Sequence, residues 1–157
     1  MRYRAKEEDR ETAALRADIE PVLKGLGFAL VELNLFRPGK GAARIRLVLT
    51  MPEAPGIGTK ELSGAHRALL PRLEAAFPGG NLQVELSSPG TDRLIKEGAE
   101  FGFFRDRALR CYRTDSSRWC AGILRGSDEE KIVLETPEGG LTELSYTIIA
   151  KAKLDGR

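Results

Sequence analysis

The chain has 157 residues, 41% of them hydrophobic and 31% charged, and a formal net charge of +2. That length suits one ordinary domain or two small ones of roughly 60–90 residues. Its longest apolar stretches, such as Phe28 to Val31 and Leu47 to Leu49, fall far short of the about 20 residues of a membrane-spanning helix. No apolar stretch follows the charged start Met1-Arg2-Tyr3-Arg4, so a soluble, non-exported protein is expected.

In chain order, the first 26 residues read as a helix: Leu15, Ile19, Val22 and Leu26 recur at helical spacing, Pro21 predicts a kink, and Gly25 and Gly27 mark the stop. Two strands follow. In the first, Ala29, Val31, Leu33 and Leu35 share a face. In the second, Ile45, Leu47, Leu49 and Met51 alternate with Arg44, Arg46 and Thr50. Arg37 to Gly41 has hairpin-loop chemistry, and 52–58 reads as a loop. Thr59 is placed to cap a second helix with Leu62, Ala65, Leu69 and Leu73 on one face. A third strand then carries Leu82, Val84 and Leu86. The order α-β-β-α-β predicts two helices packed on one face of a three-stranded sheet.

After Leu86 the pattern changes to strands alone. Short strands are predicted at Ala108–Tyr112, Trp119–Leu124, Lys131–Glu135, Leu141–Tyr146 and Ile148–Leu154, with turn residues between most of them. Five such strands in about 50 residues predict a small barrel. The fold class is therefore α+β, with an N-terminal two-layer domain over 1–90 and a β-barrel domain over 91–157.

Charge is distributed unevenly in the second half. Arg93 to Arg118 carries seven bases against four acids, and Trp119 to Arg157 carries five bases against seven acids. Arg105, Arg107, Arg110 and Arg113 make a candidate phosphate-facing patch, because arginine forks match phosphate oxygens. The alternative is a solvated charged surface.

The chemistry of catalysis is thin. No phosphate loop, no dinucleotide-binding glycine motif and no Gly-x-x-Gly clamp occurs. His66, the only histidine, sits in a helical segment with no nucleophile that the sequence places beside it. Cys111 and Cys120 read as a pair of reduced thiols. Neither a catalytic nor a metal site is expected, nor a cofactor.

The richest local signal is Ser87-Ser88-Pro89-Gly90-Thr91-Asp92-Arg93-Leu94. Pro89 and Gly90 suit the second and third positions of a type II turn. Ser87, Ser88 and Asp92 can satisfy loose backbone groups, and Arg93 can reach a partner. The residues support two readings, an ordered hinge between lobes or a binding loop on a rigid base.

This run resembles the Ser-Ser-Pro-Gly-x-Asp-Arg-Pro signature of the bacterial ribosome maturation factor RimP family. Glu20-Pro21-Val22, Leu26 to Val31, Phe101 to Phe104, Gly122-Ile123-Leu124 and Tyr146 to Ala152 are similar to further family segments in the same order. Leu94 stands where the family usually has proline, Thr91 where leucine is common, Asp106 at a usual glycine and Phe103 at a usual arginine. The resemblance implies a non-enzymatic, cytoplasmic, monomeric assembly factor that binds the small ribosomal subunit during maturation. It further implies that the second domain is an Sm-like or SH3-like barrel engaging a ribosomal protein, with ribosomal RNA nearby. An Sm-like RNA-binding regulator acting away from ribosomes is the alternative.

Overall fold

Helix α1 (Arg10–Gly25) begins where the Asp9 carboxylate accepts from the Thr12 amide at 2.7 Å. That bond holds the Asp9 carboxyl below its usual range. The computed structural model describes residues 8–53 and 57–156, so Met1 to Glu7 of the expected first helix and the middle of the expected 52–58 loop lie outside the described residues. The described chain divides into two compact units, 8–89 and 90–156.

In the first unit, strands β1 (Ala29–Phe36) and β2 (Ala42–Thr50) pair antiparallel. Helix α2 (Thr59–Ala76) then returns the chain so that β3 (Asn81–Ser87) lies parallel to β2, in the order β1-β2-β3. Both helices bury one stripe, Leu15, Ile19 and Leu23 from α1 and Ala65, Leu69 and Leu73 from α2. These stripes share one core with Leu30, Leu33, Ile45, Leu47 and Leu49 of the sheet.

Three local expectations are corrected here. The α1 stripe runs through Leu23 rather than on to Leu26, which is exposed. The helix ends at Gly25, and the Leu26 amide bonds back to the carbonyls of Val22 and Leu23 before Gly27 turns the chain at φ +90°. Gly58, not Thr59, is the N-cap of α2; its amide donates to the Glu61 carboxylate at 3.0 Å. In β1, a bulge between Leu30 and Glu32 inserts Val31 as an extra residue. This places Leu30 opposite Leu49 on the same face as Leu33 and Leu35, a shift that strict alternation does not anticipate.

The second unit opens with a short 3₁₀ helix, Gly98–Phe104, which buries Phe101 and Phe104. Strands β4 (Ala108–Arg113), β5 (Arg118–Ser127), β6 (Lys131–Glu135), β7 (Leu141–Ser145) and β8 (Ile149–Leu154) form one antiparallel sheet in the order β7-β6-β5-β4-β8. The core face carries Leu109, Cys111, Leu124, Ile132, Leu134, Leu144, Ala152 and Leu154. Phe101 stacks on Tyr146 at 5.7 Å.

The expected barrel does not close among the described residues. The last strand crosses back to pair with β4. Its other edge is used by the chain just after the junction: the Ile95 amide donates to the Ala152 carbonyl, and the Leu154 amide donates to the Arg93 carbonyl. With that edge occupied, β7 and β8 form no ladder with each other, and the sheet stays open.

Candidate functional site

Ser87 ends β3, and Ser88 and Pro89 finish the first unit. Gly90, the first residue of the second unit, has φ +82°, as the third position of a type II turn requires. Asp92 is exposed and makes no hydrogen bond among the described residues, so the expected acceptor role falls elsewhere. It is taken by Glu100, which the sequence reading passed over. Glu100 Oε2 accepts from the amides of Lys96 at 3.0 Å and Glu97 at 3.1 Å.

Arg93 is likewise turned inward. Its Nε donates to Glu100 Oε1 at 2.8 Å, and the two side chains are only 7% and 4% exposed. The guanidinium of the signature is therefore part of a buried ion pair that pins the 93–100 segment, and it is not presented as an outward contact. The available signal was an acid embedded in the apolar run Gly98-Ala99-Glu100-Phe101: a carboxylate buried there needs a cation.

The arginines of the expected patch are strung along β4 and its approach. Arg105 and Arg107 are exposed, Arg107 with its guanidinium 5.9 Å from the Phe104 ring centre. Arg113 grips Asp115 through two bonds of 3.0 and 2.7 Å, which raises its own pKa and lowers that of Asp115. Arg110 occupies the middle of β4 on the face opposite Leu109 and Cys111, as alternation predicts.

The register then brings together residues the sequence reading did not connect. Arg110 is directly opposite Ala121 and Lys153, and Tyr112 is opposite Trp119 and Lys151. Directly opposed residues share a face. Tyr112 meets the Trp119 ring edge-on at 5.5 Å, and the Arg110 guanidinium lies 5.5 Å from the same ring. The alternation Lys151-Ala152-Lys153 was the readable signal, but the pairing of β8 with β4 rather than β7 is what sets these lysines beside Arg110.

His66 lines an open groove of about 760 Å³ between α2 and β3, together with Thr59, Ser63, Glu74 and Leu86. Glu74 is two helical turns from His66, about 12 Å along the axis, so the two cannot share one proton. Neither makes a hydrogen bond among the described residues. Among the described residues no cluster of three or more histidine, cysteine or acidic groups is arranged for a metal. No helix among them is long and apolar enough to cross a membrane.

Fold and site together define a two-unit α+β protein with a buried ion pair behind the junction and a sheet face of cations and aromatic rings. No family model matches the chain. It is similar to ribosome maturation factor RimP of Borrelia hermsii, with 29% identity over 136 residues covering 87% of this chain and 90% of the relative. It is also similar to ribosome maturation factor RimP of Borrelia garinii subsp. bavariensis, with 28% identity over the same shares. These matches support assigning the chain to the RimP family.

Proposed function

We propose that the protein is a ribosome maturation factor that binds the small ribosomal subunit during its assembly without catalysing a reaction. The observation that carries this reading is the similarity to ribosome maturation factors over 87% of the chain. In this reading residues 1–90 and 91–157 act as two domains in the cytoplasm, and the protein docks as a monomer. The second domain is Sm-like; the return of β8 to β4 in a five-stranded antiparallel sheet supports that comparison. It engages a ribosomal protein, with ribosomal RNA close to the exposed arginines Arg105 and Arg107. The Ser87 to Arg93 signature serves as an ordered joint: its glycine turns the chain, and its arginine anchors the segment that follows.

The test is sedimentation of the tagged protein through a sucrose gradient of cell lysate, with light scattering of the pure protein. A monomer that travels with free small subunits is expected. A ring-sized oligomer that stays away from ribosomal particles would overturn the reading in favour of an Sm-like RNA-binding regulator.

A further inference from the structure

Three surfaces of the second unit differ sharply in character. The β6–β7 end carries acids already held by cations: Glu135 pairs with Arg125 at 2.7 Å and Glu143 with Lys131 at 2.9 Å. The core face is apolar and buried. The outer face of β5, β4 and β8 combines three cations, Arg110, Lys151 and Lys153, with an aromatic pair, Tyr112 and Trp119. Trp119 is 48% exposed and lies on this face beside the Arg110 guanidinium and the Tyr112 ring.

Asp155 pairs with Arg110 only at the long end of an ion pair: Nε lies 3.9 Å from Oδ2. Arg110 Nε makes no hydrogen bond among the described residues although it is shielded from solvent. A cationic face of this kind attracts a polyanion. The exposed indole decides which one. An acidic peptide would use the cations but has no need of a ring. A duplex hides its bases, so the ring would have nothing to stack on. An unpaired nucleotide strand uses both, with bases on the aromatic ring and phosphates on the flanking cations.

We infer that the β4–β5–β8 outer face binds single-stranded nucleic acid, with a base stacking on Trp119 and phosphates held by Lys151, Lys153 and Arg110. That the strand is RNA rests on the proposed function; the stacking platform itself does not.

Trp119 is the only tryptophan in the chain, so its fluorescence reports this face alone. The experiment titrates the full-length protein with a short fluorescein-labelled oligouridine, an RNA duplex and a polyglutamate peptide, following polarisation, and with unlabelled oligouridine, following tryptophan emission. Expected results are binding and quenching by oligouridine and a loss of about 5- to 150-fold in affinity for Trp119→Ala, with Trp119→Phe retaining most of it. The Lys151→Gln, Lys153→Gln pair should reduce the log–log salt slope by about 1.4, at about 0.7 per phosphate contact on a single strand. All these positions lie on the outer face, and circular dichroism checks that the variants fold. Unchanged affinity in Trp119→Ala, absence of quenching, or a preference for the duplex or the acidic peptide would overturn the inference. If oligouridine binds through Trp119 but the protein fails to travel with small subunits, the platform stands and the maturation reading falls. If the protein travels with subunits while Trp119→Ala leaves oligouridine binding untouched, the reverse holds.

Discussion

Arg93 and Glu100, seven residues apart in the chain, form a buried ion pair at 2.8 Å whose carboxylate also holds the amides of Lys96 and Glu97. An acid and a base, both shielded from water, stabilise one another only as a pair. Removing one strands the other in a poorly solvating interior. Arg93→Ala and Glu100→Ala are each expected to cost about 3–5 kcal/mol, and the double variant less than the sum. Urea unfolding of the four proteins of this cycle measures it. Additive losses would show that the two side chains act independently.

The Cys111 thiol lies directly opposite Cys120 across β4 and β5, and burial, with a smaller contribution from Cys120, pushes its pKa up to about 12. An unfolded thiol ionises near pH 8.5. Below that pH both states keep the proton and stability is unaffected. Between about 8.5 and 12 the unfolded chain releases a proton that the folded chain retains, so stability falls as pH rises, by up to about 1.4 kcal/mol per pH unit. Other groups titrate in the same range. The measurable quantity is therefore the difference in slope between the wild type and Cys111→Ala, with the variant expected to be the flatter. In the folded protein, iodoacetamide should label Cys120 well before Cys111.

A methyl group added at Gly122 would sit 2.7 Å from the Glu135 carbonyl oxygen and 3.2 Å from Leu134 Cβ, inside the β5–β6 ladder. Backbone cannot yield there without parting the strands. Gly122→Ala is expected to destabilise by about 1–3 kcal/mol. Gly126, four residues on in the same strand, has nothing within 4 Å of the added atom. Gly126→Ala should change stability by no more than about 0.5 kcal/mol. Thermal melts of the two variants side by side test the contrast.

Two left-handed positions invite opposite substitutions. Gly90 at φ +82° should lose about 1–3 kcal/mol on replacement by valine, whose branched Cβ strains that backbone. Asp106 has φ +68°, in the left-handed region that favours glycine. Asp106→Gly removes an exposed pair with Arg125, itself of little energetic weight, and relieves the backbone. It is expected to leave stability within about 1 kcal/mol of wild type or slightly above. Chemical denaturation resolves both, and a marked loss in Asp106→Gly would show that the Arg125 pair matters more than the strain.

The identity and order of the α-helices and strands were written into the chain, because the period of apolar residues depends only on local geometry; the 3₁₀ helix Gly98–Phe104 has no such period and was not legible. Helical spacing marked Leu15 and Ile19 and then Ala65, Leu69 and Leu73. Alternation marked every strand of the second unit to within a few residues. The signature run also announced its glycine, since a positive φ is a local property. What alternation could not supply was register and partner. The Val31 bulge shifts the register of β1, so that Leu30 and Leu33 both reach the core shared with the helices. The choice of β4 as the partner of β8 brings Lys151 and Lys153 to Arg110 and Trp119, residues more than thirty positions away. Whether Arg93 points outward or inward depended on Glu100 being buried within reach, and Glu100 is buried together with Phe101 and Phe104 of the same 3₁₀ helix, which is a matter of tertiary packing.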